Sequence, residues 1–301
     1  MRVTALLLSS ALLTSCSSPP PKPPTAAQAS AQTFNLNGAR ALRRGDLNAA
    51  LAAFGEALAA SDSVEDFEGS GTALLNLALV HARLAQLDAA PARGSQDATP
   101  ARKHSDAAHA SVDRILTAPQ RHSDTQRGQA ATRKAMLYLD ANAHGLALHW
   151  ADQARAVCTD PCPLAPTLAN LRAFVALERG EVARAADQAT RAAELAATLG
   201  PQAEHANALR LLGRANTRLG KTDEAAQALE RALLIDRELG LPERIALDLM
   251  HAGENEDRRG QTAAAREFYE RALQVSVGGN LPGLVQALRV RLEKPGQAAA
   301  R

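Results

Sequence analysis

The feature that most constrains this chain is a spacing that recurs along it. A small residue is followed by glycine seven positions on, alanine five after that, a variable residue four later and alanine three beyond. Gly213, Gly220, Ala225, Leu229 and Ala232 carry it, and Gly253, Gly260, Ala265, Tyr269 and Ala272 repeat it forty residues later. It recurs upstream as Ala173, Gly180, Ala185, Ala189, Ala192, as Gly38, Gly45, Ala50, Phe54, Ala57 and, with asparagine at the turn, as Ala135, Asn142, Ala147, Ala151, Ala154. Glycine and asparagine tolerate the left-handed backbone that ends a helix, and alanine lets a second helix cross the first at close range. The pattern therefore predicts helical hairpins. One hairpin alone leaves a face bare, and stacking the next one buries it. With 46% apolar but only 3% aromatic residues, the core must come from alanine and leucine, which favours an all-α protein.

This spacing resembles the tetratricopeptide repeat, with a period of 40 in place of the family's usual period of about 34 residues. The resemblance implies a right-handed superhelix of about six antiparallel hairpins over residues 33–276. The extra residues fall after each second helix, where Gly200, Gly240 and Asn280 recur forty apart with Pro201, Pro242 and Pro282 close behind, blocking continuation. One copy is irregular. Ala78, Ala85 and Ala90 fit its first helix and turn, the spacing then breaks at 91–95, and a second helix resumes near Lys103 to Leu116. An inserted loop at 91–101 accommodates the excess, either as a plain surface spacer or as a partner-contacting element. Gly69 to Thr72 is expected to form a turn between helices with Thr72 as a cap. Residues 277–301 are expected to supply a capping helix over Leu284 to Leu292 and a frayed tail.

The start of the chain has the character of an address. Arg2 precedes an apolar run from Ala5 to Leu13, too short to span a bilayer, and Leu13-Thr14-Ser15-Cys16 resembles the lipobox of bacterial lipoproteins. The resemblance implies removal of residues 1–15 as a signal peptide, acylation of the Cys16 thiol, and attachment to a membrane by lipid alone. Ser17 occupies the place where the family's inner-membrane retention signal carries aspartate, which points to the outer membrane, facing the periplasm. The plainer alternative is an ordinary secretory signal. Residues 16–32 are expected to be a polar tether, extended from Pro19 to Pro24.

With 34 basic against 32 acidic residues, no dominant nucleic-acid role is expected. Cys158 and Cys162 are expected to pair as a disulfide, since their spacing is not that of a redox or metal motif; no metal ligand set and no cofactor is expected. The eight histidines form no His-Glu-x-x-His arrangement and are expected to be mostly solvated. No nucleophile elbow or phosphate-cradling loop is present, so no enzyme is expected. In the resembled family the first helix of each hairpin lines a concave groove. Here those helices carry Asn35, Arg43, Arg83, Arg133, Asn170, Arg210, Arg214, Arg218 and Arg258. Such arginines suit the carboxylates of a protein or peptide partner, or else pair with acidic neighbours such as Asp140, Glu178, Glu254 and Asp257. The expected function is a membrane-anchored scaffold binding a protein partner, resembling assembly factors of envelope machines. The alternative is an envelope enzyme or a cell-wall-associated accessory.

Overall fold

The computed structural model describes residues 23–89 and 98–293. Cys16, the signal segment and most of the proline tether lie outside the described residues, as does the greater part of the expected insertion. The described residues form thirteen helices and no strand. They are α1 (Ala26–Arg43), α2 (Leu47–Asp62), α3 (Phe67–Ala89), α4 (Thr99–Leu116), α5 (Asp124–Asp140), α6 (His144–Ala156), α7 (Ala165–Glu178), α8 (Val182–Leu199), α9 (Gln202–Leu219), α10 (Thr222–Glu238), α11 (Pro242–Arg258), α12 (Thr262–Gly278) and α13 (Pro282–Glu293). Consecutive odd and even helices pack as six antiparallel hairpins, and α13 lies against the last of them.

The turn residues act as the spacing requires. Gly180 ends α7 at φ +74° and Asn142 ends α5 at φ +55°, with Gly45, Gly220 and Gly260 in the same left-handed region. In every second helix but α4, two of these positions are alanines with no exposed surface, such as Ala185 and Ala192, or Ala265 and Ala272. The variable position between them faces the small residue of the first helix. A Cβ added at Gly38 would lie 2.6 Å from the Phe54 ring, and at Gly253 it would lie 2.5 Å from the Tyr269 ring. Where the second helix offers only Ala151 or Ala189, the first helix offers Ala135 or Ala173, and all four are fully buried. Volume is thus matched pair by pair across each crossing.

Several boundaries differ from expectation. Helix α1 begins at Ala26, inside the segment assigned to the tether, because Thr25 and Gln28 cap it reciprocally: the Gln28 amide donates to Thr25 Oγ1 at 3.3 Å and the Thr25 amide to Gln28 Oε1 at 2.9 Å. Gly69 to Thr72 form no turn. They lie inside α3, whose start Asp66 caps through the Gly69 amide at 3.0 Å. The bare Cα of Gly71 admits Gln126, whose Nε2 donates to the Glu68 carbonyl at 2.8 Å. Ala85 does not turn either, since alanine would carry the left-handed strain that glycine avoids, and α3 continues to Ala89. The second helix then starts at Thr99, so Thr99 to Ala101 are helical and not part of a loop. Its Ala108, Val112 and Ile115 are fully buried and restore the four-then-three spacing of the other copies.

Candidate functional site

The first helices α1, α3, α5, α7, α9 and α11 pack in succession as one layer of the solenoid. That layer curves back on itself. Arg83, near the end of α3, donates from Nη2 to Glu243 Oε2 at 2.7 Å, in the first turn of α11 and 160 residues away. The inner wall is therefore a groove whose two sides meet at this ion pair.

In the C-terminal half, the arginines assigned to the groove are consumed by the protein itself. Arg210 is a correction: it is 5% exposed, and its guanidinium lies among Asp248, at 2.6 Å from Nε, Asp236 at Nη2, and Asn207, at 3.1 Å from Nη1. Both aspartates are wholly buried. One cation cannot balance two buried carboxylates, so burial, reinforced by Asp236, raises Asp248 to about 7 against the pull of Arg210. Arg214 donates to Glu178 Oε1 at 3.3 Å and stacks over Phe174 at 5.8 Å, and burial lowers its pKa despite Glu178. Arg218 donates to the Leu177 carbonyl at 2.6 Å. Asn170, also buried, donates to the Glu204 carbonyl and to its Oε2, at 3.0 and 2.9 Å. Arg258 is exposed at the end of α11 and is engaged by a neighbour.

A second buried cluster adjoins. Burial disfavours the Glu254 carboxylate, yet His251 Nδ1 at 2.7 Å and Arg291 Nη2 at 2.5 Å outweigh it and hold the group at about 2. Burial lowers His251 against the opposing pull of Glu254, with Arg214 and Arg210 adding to the lowering. Tyr269 donates to Asp257 Oδ2 at 2.8 Å, and its burial together with that carboxylate raises the phenol.

The N-terminal half is different. Asn35 accepts from Asn76 Nδ2 at 3.4 Å, and Arg43 is exposed with no partner among the described residues. Asp140 accepts from Gln86 Nε2 at 3.0 Å, its pKa raised by burial against the influence of Gln86 and Arg83. Arg133 has its Nε sealed from solvent without a hydrogen-bond partner and forms no ion pair among the described residues, and burial alone lowers its pKa. It lies two residues before Ala135, the register of Asn76 before Ala78. Asn76 reaches back to Asn35 on the preceding first helix. At the position on the preceding first helix that corresponds to Asn35 stands Leu75, which offers no side-chain acceptor.

Cys158 and Cys162 are joined across the turn between α6 and α7, with Cα atoms 5.5 Å apart and a cis bond between Asp160 and Pro161 inside the loop. The histidines are less solvated than expected, since helix packing shields them: His149 alone is exposed and His251 is buried. His81 Nδ1 and His104 Nδ1 share a hydrogen bond at 2.9 Å between α3 and α4. Among the described residues no group of three potential metal ligands converges, and no helix is long and apolar enough to cross a membrane. The acidic partners of Arg210 were missed. The signal was present: Asp248 stands five residues before Gly253, in the register of buried Leu168 and Ala208, and Asp236 stands in the register of buried Ala196 and Ser276.

No protein-family profile and no curated protein matches the sequence. Solved structures do. PilW, described as a widely conserved type IV pilus biogenesis factor, aligns with TM-score 0.52 and 19% identity over 86% of this chain and 97% of its own. PilF of Pseudomonas aeruginosa aligns with TM-score 0.54 and 13% identity over 90% of this chain and 100% of its own. A Rap protein complexed with competence and sporulation factor gives TM-score 0.57 and 17% identity over 86% of this chain and 69% of its own. At these identities the likeness speaks to fold. With its helices packed as successive hairpins, this chain has the fold of a tetratricopeptide-repeat solenoid.

Proposed function

We propose that this protein is a lipid-anchored, non-catalytic scaffold of the bacterial cell envelope that holds a segment of a partner protein in the groove of its first helices. The observation that carries this proposal is the inner wall itself: a layer of six successive first helices, bridged from α3 to α11 by Arg83 and Glu243. Three further points support it. The Leu13 to Cys16 motif provides an acylation site, the Cys158–Cys162 disulfide suits an oxidising compartment, and the solved structures of similar fold include a type IV pilus biogenesis factor and a Rap protein complexed with competence and sporulation factor. Assembly of an envelope machine is the process these neighbours suggest, and the outer membrane facing the periplasm is the location that Ser17 favours.

The test is crosslinking in living cells from a photoreactive residue placed at Met136, on the groove-lining helix α5. A defined protein partner should be captured. Recovery of no protein, together with binding of the purified chain to isolated cell wall, would favour a cell-wall accessory and sink the scaffold. Separately, Cys16→Ala should release the protein from membranes or leave it unprocessed.

A further inference from the structure

We infer that the outward face of α1 lies on the membrane surface, with Arg40, Arg43 and Arg44 set on anionic phospholipid headgroups and Leu36 turned toward the acyl region. The inference rests on the lipid anchor proposed above and adds to it a second contact, made by the folded protein itself.

Helix α1 opens the solenoid, so one of its faces has no preceding hairpin to cover it. Ala31, Gly38 and Ala41 are buried on the side that packs against α2 and α3. On the opposite side Ala26, Ala29, Thr33, Leu36, Arg40 and Arg43 follow one another at alternating steps of three and four residues, and every one of them is exposed. Leu36 stands 59% exposed in the middle of that stripe. The charge on this part of the chain has one sign. From Cys16 through Gly45 the sequence holds Lys22, Arg40, Arg43 and Arg44 and no acidic residue, against 34 basic and 32 acidic over the whole chain. The first carboxylate, Asp46, is taken up as the cap of α2, accepting from the Ala49 amide at 3.0 Å. Arg40 reaches only the neutral Asn37, at 3.3 Å, and Arg43 and Arg44 are exposed and form no ion pair among the described residues.

The tether selects the occupant of this face. Nine residue steps separate Cys16 from Thr25, the cap of α1, a reach of about 30 Å even when fully extended. The eighteen residues of α1 span about 27 Å. A helix on so short a leash meets the bilayer at high effective concentration, so a modest attraction holds it there, whereas any other occupant must arrive by diffusion. The attraction of anionic headgroups fades over a screening length of about 8 Å at physiological ionic strength. Only cations kept at the surface feel it, and α1 lying flat keeps all three of its arginines there.

The experiment reconstitutes the full chain, produced with its signal segment intact and carrying Leu36→Cys, into vesicles of phosphatidylcholine with and without phosphatidylglycerol. With Cys16 blocked by its lipid and Cys158 joined to Cys162, a thiol-reactive fluorophore marks position 36 alone. Val277→Cys, at a site 61% exposed on the last hairpin, is the remote control. In phosphatidylglycerol vesicles, quenchers carried on the lipid should reach the label at 36 and spare the label at 277. Contact at 36 should lessen in phosphatidylcholine alone and in high salt. Changing Arg40, Arg43 and Arg44 to glutamine should lower the ratio of lipid-contacting to free label by about five-fold for each arginine removed. The same change at Arg179, Arg184 and Arg191, exposed at the α7–α8 hairpin, should leave that ratio unchanged. A label at 36 that stays unquenched while the protein floats with anionic vesicles overturns the proposal, as does quenching indifferent to lipid charge and salt. Shielding of the label that grows with protein concentration and persists without vesicles also overturns it, by making a second copy of this chain the occupant. If the triple arginine variant fails to fold, the parent's response to lipid charge and salt decides alone. Failure of the full chain to float with vesicles of either kind removes the anchor first, and this inference with it.

Discussion

Arg210 and Arg133 occupy first helices of the same solenoid, yet one is locked among two buried aspartates and the other has no acceptor among the described residues. The C-terminal half of the wall uses its charges to bind successive repeats together: Arg210 joins α9 to α10 and α11, and Arg291 joins α13 to α11 through Glu254. In the N-terminal half Arg133 and Arg43 have no acceptor among the described residues, and Arg83 is held only by the half-exposed pair with Glu243. Structural charge and available charge have been separated along one repeating frame. A repeat protein can do this because each hairpin contacts only its neighbours, so the chemistry of one register can change without disturbing the fold elsewhere.

The strongest way to break this contrast is to remove the cations one at a time. Arg210→Met leaves Asp236 and Asp248 buried without their counter-charge and should cost about 3–5 kcal/mol, whereas Arg133→Met removes an unsatisfied group and should cost little or even stabilise. Urea unfolding followed by circular dichroism measures both. Comparable losses at the two sites would mean that Arg133 is as structural as Arg210.

Proton linkage sharpens the same contrast. Asp248 is raised from the ordinary carboxylate value to about 7, so folding favours its protonated form. Stability from this group is therefore greatest at low pH and falls as pH rises through its unfolded value toward 7. The fall amounts to a few kcal/mol, since each ten-fold change in proton affinity is worth about 1.4 kcal/mol. Glu254, held at about 2, works in the opposite sense: its contribution is present above its unfolded value and is lost as pH falls toward 2. Melting temperatures across pH should show the decline toward neutrality in the parent and not in Asp248→Asn. A decline that survives this substitution would place its origin elsewhere.

The hairpin crossings are the feature that both halves share. Gly38→Ala drives a methyl into Phe54 and Gly253→Ala drives one into Tyr269, so each should cost about 1–3 kcal/mol, the N-terminal one as much as the C-terminal one. Truncating the partner ring, as in Gly253→Ala with Tyr269→Leu, should recover part of the methyl clash while forfeiting the Tyr269 hydrogen bond to Asp257. A large loss at one crossing and none at the other would show that the frame itself, and not only its charges, differs between the halves.

These crossings were also the part of the fold most legible beforehand. Close helix approach demands a small residue, a left-handed cap demands glycine or asparagine, and both demands leave residue types at fixed spacing. The continuation of α3 through Ala85 follows from the same rule, because Ala85 stands where the other copies carry glycine or asparagine. The charge assignments were not legible in that way. Whether an arginine on a first helix faces solvent or an aspartate depends on acids 26 and 38 residues away, and for Arg83 on one 160 residues away, which no local period encodes. Only the aspartates, standing in registers that other copies fill with small or apolar buried residues, betrayed the buried set. The missing acceptor at Arg133 is an absence among the described residues, visible once those residues have positions.

The smallest expected effect concerns the Arg83–Glu243 pair that closes the groove. Both ends are exposed, so a double-mutant cycle through Arg83→Gln and Glu243→Gln should give a coupling below about 1 kcal/mol, diminishing as salt shortens the screening length from about 8 Å near physiological ionic strength. Stability alone would barely register its loss. The readout that matters is distance: spin labels on the ends of α3 and α11 should show a broader separation in Glu243→Gln than in the parent, and the parent should approach that distribution in high salt. A coupling of several kcal/mol, insensitive to salt, would make this pair a fixture like Arg210 and its aspartates. The N-terminal cations would then be as fully engaged as the C-terminal ones, and the groove would be a closed tube with no charge left to offer.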